Sequence, residues 1–216
     1  MSSELAEVDG RRARRFHNRE AVVDAMLSLY AEGELAPTVA QVAARAGLSD
    51  RSLFRYFADA EELYRVAVDR HLQSTQERIP VPGPRPSTTH QRITRFVNHR
   101  LDLYETNAPI ARAGRLHAGR SEVLAASLDQ NRQRMRADAF AYFAEDLARL
   151  SSDEQQLVRP QLALAGTFEV LEALRVQQGL STAEARRTLT HTLSLLLGLD
   201  AASSPTDSNP RERPRT

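Results

Sequence analysis

The residues best placed to do chemistry lie in one short stretch near the N-terminus: Thr38, Ser49, Asp50, Arg51, Ser52, Arg55 and Tyr56. Apart from the carboxylate of Asp50 they are hydroxyl and guanidinium donors, with no nucleophile and base paired among them. If Leu53 and Phe57, one helical turn apart, point inward, then Arg51 and Arg55 share one exposed face of a helix and Ser52 and Tyr56 another. Bidentate and hydroxyl donors on a short exposed helix suit the major groove of DNA, where guanine presents two acceptors to an arginine. Arg51 is the expected guanine contact.

Composition removes the main alternatives. Lysine is absent, so all 29 basic residues are arginine, which excludes a P-loop lysine and a Schiff-base lysine. With no cysteine there is no thiol nucleophile and no thiolate metal cage. The six histidines include no pair at the i, i+4 spacing of a helical zinc site. No nucleophile elbow and no dinucleotide glycine pattern occurs. The expectation is therefore a non-enzyme with no catalytic residue, cofactor or metal. The absence of cysteine, of an N-terminal apolar run and of a membrane-length apolar stretch points to a cytoplasmic protein. A net charge of +1 is too small to argue for nucleic acid by itself, but Arg11, Arg12, Arg14 and Arg15 form a cluster. That cluster is either a solvated charge run or an arm entering the minor groove.

The elements that must position these residues are helical. Apolar residues recur at helical spacing almost throughout, and alternating β-branched runs are missing, so the class is all-α. A first helix is expected at about 18–32, with Val22, Met26 and Leu29 on one face, Gly33 as its stop and residues 1–17 as a disordered basic arm. A second starts after Pro37, where Thr38 and Gln41 form a capping box. Ser49 caps a short third helix, and Asp59 caps a fourth with Glu62 at the capping-box position. Ala43 allows a close helix crossing, Gly47 suits a left-handed turn, and Leu48 seals the corner, as a helix-turn-helix requires.

The run Thr38-Val-Ala-Gln-Val-Ala-Ala-Arg-Ala-Gly-Leu-Ser, then Leu53-Phe-Arg-Tyr-Phe, Asp59 and Glu61-Glu62-Leu63, resembles the TetR-like family of transcriptional regulators in order and spacing over residues 18–68. The resemblance implies a helix-turn-helix domain at 18–66 followed by a ligand-binding and dimerisation domain at 67–200. It implies that Thr38 touches a phosphate and that Ser49, Asp50, Arg51, Ser52 and Tyr56 face DNA. It also implies a repressor that a small molecule releases from its operator. Three positions depart from the family pattern: Phe54 stands for a tyrosine, Ala60 for a lysine and Arg51 for a small residue.

Beyond the break at Pro80, Pro82, Gly83, Pro84 and Pro86, helices are expected at 88–106, 109–118, 121–150, 152–178 with a kink at Pro160, and 182–199. Residues 201–216 have the composition of a disordered tail. Leu164, Phe168, Leu171 and Leu174, with Leu189, Leu193 and Leu196, form two stripes that would build a four-helix homodimer interface and so require a palindromic operator. Phe96, Tyr104, Met135, Tyr142 and Phe168 are the expected lining of an apolar effector pocket. Arg100 and His117 fall in apolar stripes and are either its polar anchors or structural, Arg100 then pairing with a residue such as Asp138. Anchoring by Arg100 would favour a carboxylate-bearing or acyl effector. The alternatives are a dimeric DNA-binding protein without an effector and, further behind, an all-α enzyme.

Overall fold

The computed structural model describes residues 2–199, with side chains from residue 12 onward. The described residues are helical and contain no strand. None of the helices is long and apolar enough to cross a membrane. The expected tail at 201–216 lies outside the described residues.

Four helices make the N-terminal unit: α1 (Ser2–Ala31), α2 (Val39–Arg45), α3 (Asp50–Leu53) and α4 (Ala60–Gln76). The expected disordered arm at 1–17 is corrected, because α1 runs unbroken from Ser2 through the arginine cluster. Arginine and alanine are strong helix formers, and neither proline nor glycine stands between Arg11 and Asn18 to stop the helix. Val22, Val23, Met26 and Tyr30 from α1 meet Val42, Ala43, Leu53, Phe57, Leu63 and Ala67 in one core. Outside that core, Arg70 of α4 bridges to Glu20 and Asp24 of α1.

The C-terminal body contains α5 (Thr89–Ala118), α6 (Glu122–Tyr142), α7 (Ala144–Leu147), α8 (Ser152–Ala165), α9 (Phe168–Glu172) and α10 (Thr182–Leu196). A π-helical segment, Ala173–Gln177, extends α9. Where two helices were expected between 88 and 118, α5 is continuous through Pro109. Proline there removes one helical hydrogen bond, but buried Ala108 and Ile110 lie on either side of it and hold the rod in place. The two residues also belong to different cores: Ile93 to Ala108 pack in the C-terminal one, while Ile110 and Ala113 pack with the N-terminal helices. Thus α5 joins the two halves, and the N-terminal core extends past residue 66 to Ala67 and Val68.

Two further boundaries move for reasons of packing. The expected helix at 121–150 breaks at fully buried Phe143, which redirects the chain so that Asp146 and Leu147 turn inward. At 152–178 the break falls at Gly166 and not at Pro160. A Cβ on Gly166 would lie 3.0 Å from Arg100 Cγ and press on that buried side chain, and the Thr167 side chain then caps α9.

Candidate DNA-binding face and effector cavity

The helix-turn-helix forms as its residue types require. Thr38 accepts a hydrogen bond from the Gln41 amide at 3.3 Å, and Gln41 Oε1 accepts from the Thr38 amide at 2.7 Å. This reciprocal cap leaves Thr38 exposed at the start of α2. At the turn, Gly47 takes φ 69° and the Leu48 amide donates to the Ala43 carbonyl at 2.9 Å. Ser49 caps α3 by accepting from the Ser52 amide at 3.3 Å. The start of α4 departs slightly from the expected box: Asp59 accepts from the Glu62 amide, but Glu62 reaches back to the amide of Ala58.

With Leu53 and Phe57 buried, Ser49, Asp50, Arg51 and Arg55 are exposed, while Ser52 and Tyr56 are half-buried. The backbone after α3 continues in tight turns, with the Tyr56 amide donating to the Leu53 carbonyl at 2.9 Å. Tyr56 Oη accepts a hydrogen bond from Asn18 Nδ2 at 2.9 Å, so its own proton stays available for an outside acceptor. Asn18, Tyr56 and Arg55 line a polar cleft together with Arg14 and Arg15 of α1. Nothing in the sequence pointed to Asn18, because its contact with Tyr56 depends on α1 crossing beside the turns that follow α3.

A second concavity lies in the body, between α4, α5, α6 and the α8–α9 junction, with a volume of about 90 Å³. Apolar Val68, Leu72, Leu103, Ile110, Leu128 and Met135 line it, among others. Tyr104 and Phe168 contribute rings 5.6 Å apart. The Tyr104 hydroxyl donates to Glu172 at 2.5 Å; burial first, and Glu172 second, push it up to about 12.

No family model matches the chain, and neither does any curated relative. Solved structures do. A TetR-family transcriptional regulator from Streptomyces coelicolor aligns with a TM-score of 0.63 and 20% identity, over 86% of this chain and 85% of that one. A putative TetR-family regulator from Mesorhizobium loti MAFF303099 aligns with a TM-score of 0.59 and 14% identity, over 86% of this chain and 98% of its own. The chain has the TetR-regulator fold.

Within this TetR fold the candidate pocket residues separate. Tyr104, Met135 and Phe168 line the cavity; Phe96, Arg100, His117 and Tyr142 do not. Arg100 is fully buried, donates to Asp138 Oδ2 at 2.6 Å and to the Ile79 carbonyl at 3.2 Å, and stacks on Phe96 with 4.7 Å to the ring centroid. It is a structural ion pair, because a buried guanidinium without a carboxylate would be too costly and Asp138 is the acceptor in reach. Phe96 and Tyr142 pack against Phe143 with centroids 5.1 Å away in each case. His117 stacks on Tyr64 at 4.1 Å and hydrogen-bonds the backbone of Leu35, which places it between the two halves of the TetR fold.

The sequence also missed a second buried pair, Arg92 with Asp146. Arg92 Nε donates to Asp146 Oδ2 at 2.8 Å, and Thr89 donates to the other oxygen at 2.6 Å. Burial opposes ionisation of Asp146, but the hydrogen bonds from Arg92 and Thr89 outweigh it and hold the carboxyl below its usual range. Arginine recurring in a helical stripe was the only available signal, and it does not name the partner.

Proposed function

We propose that this chain is a cytoplasmic DNA-binding transcriptional regulator and not an enzyme, which binds a palindromic operator as a homodimer and is released from it by a small molecule. The observation that carries the DNA reading is the outward display of Arg51 and Arg55 over the buried pair Leu53 and Phe57, at the end of a capped, glycine-turned helix pair. Thr38, at the N-terminus of α2, and the cleft of Arg15, Asn18, Arg55 and Tyr56 flank that display with phosphate donors. Ser49, Asp50 and Ser52 complete the surface at the start of α3.

Support for a dimer comes from only part of the leucine stripes. Leu171, Leu174, Leu189 and Leu193 are buried within their own chain. Leu157 and Leu164 on α8 and Leu195 on α10 remain 68%, 58% and 55% exposed, and α8 packs beside α10. Large apolar side chains gathered on adjacent helices mark an interaction surface. The dimer face is therefore assigned to Leu157, Leu164 and Leu195. Two-fold symmetry then places the half-sites about 34–36 Å apart or at a multiple of that.

Support for release comes from α4. Its residues Leu63, Ala67 and Val68 belong to the DNA-binding core, while Val68, His71, Leu72 and Thr75 line the cavity. A ligand with different affinities for two positions of α4 shifts the spacing of the recognition helices.

The test is selection from random duplexes, followed by sedimentation of the selected complex. Enrichment of an inverted repeat bound by two protomers is expected. Failure to enrich any sequence, or a monomer on a single half-site that Leu164→Glu leaves unchanged, overturns the reading.

A further inference from the structure

Every cation around the effector cavity is already committed, and one buried acceptor is not. Resting on the reading of this cavity as the effector site, we propose that the effector is a neutral, mostly apolar molecule carrying one hydrogen-bond donor, of the phenol or alcohol type, received by Asn131 Oδ1. It is not an anion, which corrects the carboxylate or acyl compound expected from Arg100.

The cationic groups come first. Arg115 donates to Glu169 through Nε at 3.1 Å and Nη2 at 2.8 Å, gives Nη1 to the Ala111 carbonyl at 3.1 Å, and lies 3.8 Å above the Phe168 ring. Arg132 turns to Asp129 at 3.2 Å. Burial and the nearby charge of Arg78 hold His71 below its ordinary range against an opposing hydrogen bond to Asn107, so near neutral pH it carries no charge. An anion entering here would have to compete with Asp129 and Glu169 for these arginines, whereas a neutral ligand leaves both pairs intact.

The other uncharged side chains have partners as well. The Thr75 hydroxyl is within reach of the His71 and Leu72 carbonyls at 3.1 and 3.0 Å, and Asn107 Nδ2 donates to the Leu103 carbonyl at 2.5 Å. What remains is the amide of Asn131, which lines the cavity. Its Nδ2 faces the thioether of Met135, an acceptor, at 4.0 Å, which leaves Oδ1 at the other end of the amide. Its Oδ1 is buried with no partner. An orphaned buried acceptor is costly, and a ligand O–H or N–H relieves that cost while its apolar body fills the rest.

Size ties the same ligand to regulation. A volume of about 90 Å³ is smaller than the roughly 150 Å³ of an engineered apolar cavity that admits benzene. An aromatic ring seated wholly inside must therefore displace a wall. On the α4 side, Val68 faces Gly114 of α5, where a Cβ would lie 3.2 Å from Val68 Cγ1, so the two helices approach closely at this wall. Filling the cavity pushes on the helix that carries the DNA-binding core.

The experiment uses three probes of one shape: p-cresol, toluene and 4-methylbenzoate. Binding to the full chain is measured by calorimetry without DNA, and the DNA affinity of the same sample is measured separately. The expected order is p-cresol tightest, toluene weaker by about 3- to 10-fold for one lost hydrogen bond, and 4-methylbenzoate weakest. Asn131→Leu, checked for an unchanged melting profile, should bind p-cresol and toluene alike. Asn131→Asp, which still accepts, should keep the p-cresol preference and provides the check if the leucine variant misfolds. Tightest binding by 4-methylbenzoate, a p-cresol preference that survives Asn131→Leu, or no binding of any probe by protein with intact DNA affinity overturns the ligand class. The predicted order in a protein that binds no DNA upholds the ligand class and overturns the regulator reading instead.

Discussion

The N-terminal unit and the C-terminal body use arginine in opposite ways, although both are built of amphipathic helices. In the first, Arg51 and Arg55 stand exposed over a small apolar core. In the second, Arg92 and Arg100 are fully buried and each is answered by an aspartate of the same chain, Asp146 and Asp138. An exposed guanidinium is solvated and costs little, whereas a buried one must be paired within the fold. Arginine in a motif therefore reads as recognition, and arginine in an apolar stripe reads as architecture.

The sharpest way to break this comparison is to strip a partner from the buried class. Asp146→Ala should cost about 3–5 kcal/mol in urea unfolding, because it leaves Arg92 charged and unpaired in the core. A loss below 1 kcal/mol would show that water reaches Arg92 and that the body is not the closed architecture described. The same substitution should leave the sequence preference on DNA unchanged.

For the exposed class the effect moves from stability to specificity. Arg51→Ala should weaken binding to the selected operator by about 1–3 kcal/mol and relax preference at one base position, with stability unchanged. Thr38→Ala should weaken all duplexes alike, since a phosphate contact carries no base information, and should lower stability by about 0.5–2 kcal/mol through loss of the α2 cap. Selections that return the same logo for wild type and Arg51→Ala would remove Arg51 from base recognition.

The smallest effect belongs to the junction of the two halves. Burial holds the His117 imidazole below its ordinary pKa; a hydrogen bond to the Leu35 backbone opposes this and the charge of Arg120 adds to it. The unfolded chain gains a proton near pH 6.5 while the folded chain resists, so stability should fall as pH drops through about 6.5. His71 acts in the same direction. His117→Phe, which preserves the stack on Tyr64, should flatten part of that decline. An unaltered pH profile would assign the slope to other groups.

How far the sequence could be read follows the same division. The capping pair Thr38 and Gln41, the turn at Gly47 and the inward Leu53 and Phe57 are local, and each was legible from spacing alone. The arginine cluster was misread as a disordered arm because helix propensity there competes only with solvent, and no stop signal separates it from residue 18. Gly166 was passed over in favour of Pro160 as the break, since its role depends on Arg100 arriving from another helix. Of the residues expected in the pocket, Tyr104, Met135 and Phe168 line it, and Phe96, Arg100, His117 and Tyr142 were displaced by partners distant in the chain.

By itself the sequence determined the helical class, the helix-turn-helix and which of its side chains face outward, because these rest on intrahelical hydrogen bonds, caps and a 3.6-residue period within a few turns of chain. Tertiary structure alone decided that α5 crosses Pro109 to join two cores, that Asp138 and Asp146 neutralise Arg100 and Arg92, and that Asn131 Oδ1 is left without a partner among the described residues. The physical reason is that the worth of a buried charge or amide is set by what packs against it, and those neighbours come from residues 21 to 54 positions away or more, where no local pattern reaches.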